Sequence, residues 1–263
     1  MKIMVLLKKT PDTESKIQLS DDKASVKNDG VKFIINPYDE FAIEEALQIK
    51  AKAGSGEVII ASFGGDDVKE LIVKGLAMGG DRGLQVNNEG FENLDSLQIA
   101  KVLVAAIKSE SPDLVLCGKQ AIDDDNMHVP TMVAELLKWP HVNVVNKLDV
   151  SGDSATAERE VEGGQVEVYK LGLPAVIGCN KALNTPRYAS LPGIMKAKRK
   201  PYDRKTVGDI GLDANELTSN VKTTITGYQY PPEKPAGKLF QGEDVSVMVD
   251  KVVKLLREEA KII

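Results

Sequence analysis

The stretch Glu57–Gly80, EVIIASFGGDDVKELIVKGLAMGG, decides the fold class of this chain of 263 residues. Its first seven residues have the length and apolar character of a strand that is buried on both faces. After two glycines, residues 66–78 follow a helical pattern, which Gly79 and Gly80 end in the manner of C-cap glycines. The stretch therefore predicts a buried strand, a tight turn and a helix in succession.

The same succession is repeated along the first half of the chain. Other runs of strand character lie at residues 2–8, 83–86 and 114–117. Helical patterns lie at residues 36–53, 93–110 and 130–138. The first of these helices begins with Asn36 and Pro37, a favourable pair for the N-cap and N1 positions, and short strands around turns precede it at residues 17–35. Strands that alternate with helices of this length indicate a mostly parallel α/β sheet with right-handed crossovers.

The pattern changes in the second half of the chain. Three strand-like segments separated by glycine turns predict antiparallel hairpins added to the sheet, at residues 142–150, 154–161 and 166–171. Residues 174–179 again have buried-strand character. Beyond Pro201 the chain is polar and rich in loops, with an extended segment at 221–230, breaks at Pro231, Pro232 and Pro235, and an amphipathic helix at 244–260. This last part is typical of a tail that wraps a partner.

Composition excludes several classes of protein. The net charge of −5 argues against general nucleic-acid binding, which needs a basic face. Cys117 and Cys179 each sit in an apolar run and are predicted to be buried, reduced thiols. His128 and His141 are the only histidines, and neither has the spacing of a metal site. No signal peptide and no membrane-spanning run is present, so we expect no membrane insertion and a cytoplasmic location, or the mitochondrial matrix in a eukaryote.

One basic segment stands out in this acidic chain: Leu183–Pro201, LNTPRYASLPGIMKAKRKP. Leu191, Ile194 and Met195 have helical spacing, and a dense run of positive charge follows them. Such a patch can steer an acidic partner toward the chain. It can equally be an ordinary helix with a core-facing apolar side and solvated lysines, and the pattern alone leaves both interpretations open.

The carboxyl ends of the strands are where an open α/β sheet binds its ligands. Three stretches meet there: the end of the strand at residues 2–8, the segment Phe63–Gly65, and the loop GKQAIDDDNMHVPTM that begins at Gly118. A loop followed by a helix N-terminus can hold a phosphate. However, Asp123–Asp125 suit an anion only if they point away, and a solvated turn or helix cap is the alternative. No Walker A motif and no G-x-G-x-x-G motif is present, so the pattern alone is a weak indication of a nucleotide.

Five motifs resemble those of the β subunit of electron transfer flavoprotein. The segment 183–201 matches the recognition loop of that family, L-N-x-P-R-Y-x-x-L-P-x-I-M-K-A-K-x-K, at thirteen positions. The others are N-P-Y-D-E-x-A-x-E-E-A at 36–46, A-M-G-x-D-R-G at 77–83, G-K-Q-A-I-D-x-D at 118–125 and R-E-V-E-G-G at 159–164. They occur in the order and at the spacing of the family, and together they span nearly the whole chain.

The resemblance implies a Rossmann-like α/β domain, of the adenine nucleotide α-hydrolase-like type, at residues 1–201, including the recognition loop at 183–201. Residues 202–263 would be an arm and helix that pack on an α subunit. The domain would bind one adenine nucleotide, while the α subunit would hold most of the redox-active FAD. The family's nucleotide contacts fall on Leu6, Asn36, Pro37, Tyr38, Asp39, Phe63, Ala121, Ile122, Asp123, Asp125, Asn126, Met127, His128, Val129, Pro130, Thr131 and Met132.

The nucleotide loop departs from the family at one point. Many relatives have Q-T-G or Q-V-G where this chain has His128, Val129 and Pro130. Proline has no N–H, so one backbone donor is missing there, although a proline at helix N1 is compatible with a site at the helix end. Electron-bifurcating members resemble D-G-D-T-A-Q in this loop and hold a second FAD. Residues 123–127 read DDDNM instead, which is more similar to the members that hold AMP as a structural ligand.

The resemblance implies a carrier and not an enzyme, in agreement with the absence of a nucleophile–base pair in the sequence. An obligate heterodimer would take electrons from acyl-CoA dehydrogenases and pass them to a membrane quinone oxidoreductase. Leu191 would be the docking anchor with Ile194 and Met195 around it, and Arg187 would be structural. The docking segment as a whole comprises Leu191, Pro192, Ile194, Met195, Lys196, Lys198, Arg199 and Lys200.

Three alternatives remain. The first is the FAD-binding β subunit of an electron-bifurcating flavoprotein. The second is an adenine-nucleotide enzyme such as an ATP-pyrophosphatase-like ligase, but residues 8–12, KKTPD, do not suit the phosphate loop that such an enzyme needs. The third is a stand-alone nucleotide-binding regulator, against which the apolar-basic loop and the wrapping tail argue.

Overall fold

A computed structural model describes residues 1–234 and 236–263 of the chain. Pro235, which was predicted to break regular structure, lies outside the described residues. The chain forms two compact units, Met1–Gly227 and Tyr228–Ile263.

The first unit contains thirteen strands and six α-helices in its described residues. The strands are β1 Lys2–Leu6, β2 Lys9–Pro11, β3 Gln18–Leu19, β4 Val26–Lys27, β5 Phe33–Ile35, β6 Glu57–Phe63, β7 Arg82–Val86, β8 Leu114–Gly118, β9 His141–Ser151, β10 Ser154–Val161, β11 Gln165–Gly172, β12 Ala175–Cys179 and β13 Tyr202–Lys205. The helices are α1 Pro37–Ala53, α2 Val68–Met78, α3 Ser96–Glu110, α4 His128–Leu137, α5 Leu191–Ala197 and α6 Ala214–Ser219. Short 3-10 turns lie at Glu162–Gly164 and Gly208–Ile210.

Nine strands form one sheet in the order β11-β10-β9-β12-β8-β1-β6-β7-β13. From β9 to β13 all neighbours are parallel, whereas β10 and β11 are antiparallel additions at one edge. The prediction of a parallel α/β sheet with antiparallel hairpins is therefore confirmed. Two small hairpins, β2 with β5 and β3 with β4, lie outside this sheet.

Both faces of the sheet are covered, which explains the continuous apolar runs. Ile3 and Val5 of β1 belong to the core cluster on the face of α1 and α2. Met4 and Leu6 belong to the cluster on the opposite face, where α3 and α4 pack. The two cysteines lie one on each face and are buried and free, as predicted.

Three helices begin two or three residues away from the predicted start. α2 begins at Val68 and α3 at Ser96, two and three residues later than predicted. For α3 the reason is Asp95, whose carboxylate accepts a hydrogen bond from the backbone N–H of Gln98 at 2.9 Å and so forms the N-cap. α4 begins at His128, so Pro130 is its third residue and not its first.

The predicted domain boundary at 201/202 differs from the observed division of the chain. Residues 202–205 form β13, which pairs in parallel with β7 at the edge of the sheet. The Arg82 side chain holds this edge, because its guanidinium pairs with Asp203 at 2.8 Å and also with Glu110. Since β13 is polar and has a neighbour on one side only, its sequence, YDRK, does not resemble a buried strand. Residues 202–227 therefore belong to the first unit.

The second unit contains one helix, α7 Val245–Glu258, within its described residues. Asp244 caps it, accepting from the backbone N–H of Ser246 at 2.9 Å. Val245, Val249 and Val252 on this helix are exposed, and its predicted packing on a partner subunit stays a prediction. Residues 221–230, predicted to be extended, form neither strand nor helix. In the described parts of both units, no helix has the length and apolar character needed to cross a membrane.

Candidate functional site

A cleft opens at the carboxyl ends of β1, β6 and β8, where the fold predicts a ligand. Its apolar lining includes Leu6, Phe63, Ile99, Leu103 and Val129. The remaining lining residues are Leu7, Lys8, Asn36, Asp39, Asn88, Phe91, Glu92, Ser96, Cys117, Gly118, Gln120, Ala121, Asp124, Asn126, Met127, His128 and Pro130. An apolar pocket with a few convergent polar groups is the usual form of a small-molecule site.

The corner between β5 and α1 forms one wall of the cleft. Asp39 is buried there, and its carboxylate accepts hydrogen bonds from the backbone N–H of Lys8 at 2.7 Å and of Gly118 at 2.8 Å. The side-chain amide of Asn36 donates to the same carboxylate at 3.0 Å. One buried side chain thus joins the ends of β1 and β8 to the start of α1.

Burial dominates the ionisation of Asp39 and raises its pKa to about 7, although the three hydrogen bonds act in the opposite direction. Gly118 is required at this corner. A Cβ atom on it would lie 2.5 Å from the Asp39 carboxylate and 2.9 Å from the Asn36 amide. The glycine therefore lets the strand end come close to α1.

Asn36 also holds the loop that follows β8. Its amide donates to the carbonyl of Gln120 at 2.9 Å, and its oxygen accepts from the backbone N–H of Ile122 at 3.3 Å. Farther along the loop, Asp125 and Met127 are in the left-handed region, with φ of 50° and 57°. The Asn126 side chain then accepts from the backbone N–H of His128 at 3.0 Å, an Asx turn that gives the first N–H of α4 a partner.

The acidic run Asp123–Asp125 is engaged within the protein. The ammonium of Lys8 lies 2.8 Å from the carboxylate of Asp123 and 3.1 Å from that of Asp124. Asp125 accepts from the side chain of Gln120. Burial lowers the pKa of Lys8, but these two carboxylates outweigh it and the pKa is raised. The loop is therefore closed by an ion pair to the end of β1.

The helix α5 presents apolar side chains outward. Ser190 caps it by accepting from the backbone N–H of Gly193 at 3.2 Å. Leu191 is 79% exposed, Met195 74% and Ile194 45%, whereas Ala197 on the opposite side is buried. Large apolar side chains with this exposure on a surface helix are typical of a binding site.

The basic residues after Met195 are not equivalent. Lys196, Lys198 and Arg199 are exposed. Lys200 instead donates to the carbonyls of Leu76 at 2.9 Å and Gly80 at 2.5 Å, at the C-terminal end of α2. Lys200 was predicted to belong to the docking charge, but it attaches the segment to the fold.

The chain is similar to known proteins along its whole length. Residues 24–210 match the electron transfer flavoprotein domain. The electron transfer flavoprotein subunit beta of Bacillus subtilis is 42% identical over the whole of both chains. The subunit beta of Mus musculus is 40% identical over 97% of this chain and 99% of its own length, and the mitochondrial one of Arabidopsis thaliana is 40% identical over both full chains. The chain belongs to the electron transfer flavoprotein β-subunit family.

Ten of the seventeen residues predicted from electron transfer flavoprotein contacts line the cleft together: Leu6, Asn36, Asp39, Phe63, Ala121, Asn126, Met127, His128, Val129 and Pro130. Seven do not line it: Pro37, Tyr38, Ile122, Asp123, Asp125, Thr131 and Met132. Among these, Tyr38 packs under the ammonium of Lys119 at 5.1 Å, and Met132 packs on the core. A ligand role for each of the seventeen stays a prediction.

Sequence reasoning missed one wall of the cleft. Asn88, Phe91, Glu92, Ser96, Ile99 and Leu103 come from the segment after β7 and from α3. The signal that could have found them is topological, because the segment after β7 also leaves the carboxyl end of a parallel strand. Lys8 was also missed as a cleft residue. It is the second residue after β1, at the strand end where an open α/β sheet binds its ligand.

Two negative observations concern the rival functions. Residues 9–11 form strand β2, paired with β5, and not a phosphate loop, which argues further against a ligase of the ATP-pyrophosphatase type. Within residues 1–234 and 236–263, no group of three or more His, Cys, Asp or Glu side chains could hold a metal ion.

Proposed function

We propose that this chain is the β subunit of a heterodimeric electron transfer flavoprotein that takes electrons from acyl-CoA dehydrogenases and passes them towards a membrane quinone oxidoreductase. One observation carries the proposal: a single chain of this family combines the nucleotide-type cleft with a capped helix that exposes Leu191 and Met195. Its role is that of a carrier subunit with no catalysis of its own. FAD, held mostly by the α subunit, supplies the redox chemistry when bound.

We propose AMP as the structural ligand of the cleft. The apolar lining at Leu6, Phe63 and Val129 suits an adenosine, and the first turn of α4 with Asn126 suits a phosphate. Pro130 removes one donor, but as the third residue of α4 it stays within the turn whose N–H groups have no partner inside the helix. These residues would hold AMP, which adds no redox chemistry of its own.

Docking would use α5. Leu191 is the most exposed of its apolar residues and would enter a pocket of the dehydrogenase, with Ile194 and Met195 packed around it. Lys196, Lys198 and Arg199 would speed the encounter with an acidic surface. Because Lys200 is engaged with α2, it is left out of this role.

The test is the ligand content of the αβ complex. The complex is purified, denatured, and its released nucleotides are counted by chromatography. We expect one FAD and one AMP per heterodimer. A count of two FAD per heterodimer would mean that a second flavin is bound instead of AMP, which would support the electron-bifurcating alternative. FAD without a second nucleotide would refute ligand binding by this subunit.

A matched pair of variants locates the AMP. Ser96 lines the cleft at the start of α3, with its hydroxyl 3.3 Å from the His128 ring. Ser96→Phe should fill the cleft and lower the AMP content without changing the FAD content. Ser109→Phe, at the other end of the same helix, is the control and should retain both. Equal AMP content in the two variants would place the nucleotide elsewhere.

A further inference from the structure

The docking segment belongs to a long connection, residues 180–201, which we name the strap. It joins β12 to β13, and four strands lie between these two in the sheet. Five strand spacings of roughly 4.8 Å make the crossing about 24 Å wide. The strap lies on the face of α1 and α2, since Leu183 and Ala189 pack on the core cluster of that face. A connection of this length presents a defined docking surface only if it is held at fixed points.

The first fixed point is on α1. The guanidinium of Arg187 forms two hydrogen bonds with the Glu44 carboxylate, at 2.7 and 2.9 Å, and the backbone N–H of Arg187 donates to the same carboxylate at 3.2 Å. Beside it, the amide of Asn184 donates to Glu45 at 2.9 Å and to the carbonyl of Phe41 at 3.0 Å. Two consecutive helix residues thus hold the entry of the strap.

These two carboxylates are buried, with Glu44 4% and Glu45 6% exposed. Burial raises the pKa of Glu45, whereas the hydrogen bonds from Arg187 and Gln48 outweigh burial and lower the pKa of Glu44. Only the carboxylate of this ion pair is buried, because 47% of the Arg187 side chain is exposed. The cost of removing Glu44 from water offsets much of the attraction between the two charges. The more specific effect of the ion pair here is to fix the position of the strap on α1.

The second fixed point is at the C-terminal end of α2. A Cβ atom on Gly193 would lie 2.6 Å from the carbonyl oxygen of Ala77, so α5 lies directly against α2. The ammonium of Lys200 then donates to two carbonyls of that helix end, where the dipole favours a cation. The exit of the strap is therefore attached to α2, as its entry is attached to α1.

We infer that Glu44, acting through Arg187, and Lys200 are positioning residues for docking: they fix the two ends of the strap so that α5 presents Leu191, Ile194 and Met195 in one orientation. This inference rests on the proposed function, in which α5 is the docking helix. Glu44 is 4% exposed and the Lys200 ammonium is bound to two carbonyls at the end of α2, so both would act without contacting the electron donor.

The experiment uses the αβ complex as the electron acceptor of an acyl-CoA dehydrogenase. For Glu44→Gln and for Lys200→Met, we expect KM for the complex to rise about tenfold, the effect of losing one charge-assisted hydrogen bond. We expect kcat, AMP and FAD to stay unchanged. Asp149→Asn is the matched control, because it removes a carboxylate from an exposed ion pair with Lys52 in the last turn of α1. The control should keep the KM of the wild type.

A double-mutant cycle with Leu191→Ala separates positioning from general structural support. If Glu44 acts by orienting Leu191, then Glu44→Gln should change KM little once Leu191 is truncated. If Glu44 supports the fold alone, the two effects should multiply. Multiplying effects, a wild-type KM in both positioning variants, or a joint loss of kcat and cofactors would overturn the inference. Arg187→Lys, which keeps the charge but not the two-point contact, is the second variant should Glu44→Gln not fold.

A failure of the proposed function has a different outcome. If the wild-type complex is not reduced by the dehydrogenase, the choice of donor is wrong, and hydrogen exchange then tests the positioning. The amides of Ile194–Ala197 should exchange at least about tenfold faster in Glu44→Gln than in Asp149→Asn. Equal exchange in the two variants would refute the positioning role.

Discussion

Gly118→Ala tests the corner on which the cleft depends. The added Cβ would lie 2.5 Å from the Asp39 carboxylate, 2.5 Å from the Cβ of Tyr38 and 2.9 Å from the Asn36 amide. None of these atoms can move alone, because Asp39 also accepts from the backbone of Lys8 and of residue 118 itself. We therefore expect the start of α1 to shift away from the end of β8.

Two effects set the size of the change. Overpacking a core position costs about 1–3 kcal/mol. Weakening a hydrogen bond to a buried carboxylate costs about 1.5–3 kcal/mol more. A total of about 2.5–6 kcal/mol should lower the unfolding midpoint by about 5–24 °C for a chain of this size. The same shift moves Asn36, which holds the loop at Gln120 and Ile122, so the nucleotide should be lost as well.

The assay is thermal unfolding of the αβ complex at fixed concentration, together with its nucleotide content. Gly172→Ala is the control, because a Cβ at that strand end meets no atom within 4 Å. It should change the free energy of unfolding by less than about 1 kcal/mol, so the midpoint should stay close to that of the wild type. A Gly118→Ala complex with the midpoint and AMP content of the control would show that our reasoning about this corner is wrong.

Three further predictions concern docking and its attachment. Leu191→Ala should slow reduction by the dehydrogenase while the unfolding midpoint and the cofactors stay unchanged, since Leu191 is 79% exposed; unaltered kinetics would contradict the anchor role. The rate of reduction should fall as salt is added, because the Debye length drops from about 10 Å at 0.1 M to about 3 Å at 1 M; a flat response would count against steering by Lys196, Lys198 and Arg199. Because the pKa of Glu44 is lowered in the folded chain, the stability it contributes is present above the ordinary glutamate pKa of 4.5 and is lost as pH falls through the folded pKa. The difference in unfolding midpoint between wild type and Glu44→Gln should therefore shrink below pH 4.5. A constant difference would show that the stability contributed by Glu44 does not depend on its ionised carboxylate.

The sequence predicted the sheet well because its inner strands have a simple physical requirement. β1, β6, β8 and β12 are buried on both faces, so each must be an apolar run. The edge strand β13 has no such requirement. Its residues are mostly polar and partly exposed, and its place in the sheet depends on Arg82 and β7, far away in the sequence.

The prediction of cleft residues depended on whether those residues belong to a continuous motif. The Asn36–Asp39 corner and the loop at 121–130 were found because they carry continuous motifs of the family. The wall from Asn88 to Leu103 was missed, because its residues share only a position beside the cleft. The basic run shows a different limit of the sequence: its four cations look alike, and only their contacts distinguish Lys200, which is bound to α2, from the other three.

The antiparallel edge of the sheet has a consequence for this protein at high concentration. β11 pairs with β10 alone among the described strands, and Val166 and Val168 on it are 58% and 62% exposed. A long free edge with apolar side chains readily pairs with strands of other chains. At high concentration the chain should therefore self-associate through this edge.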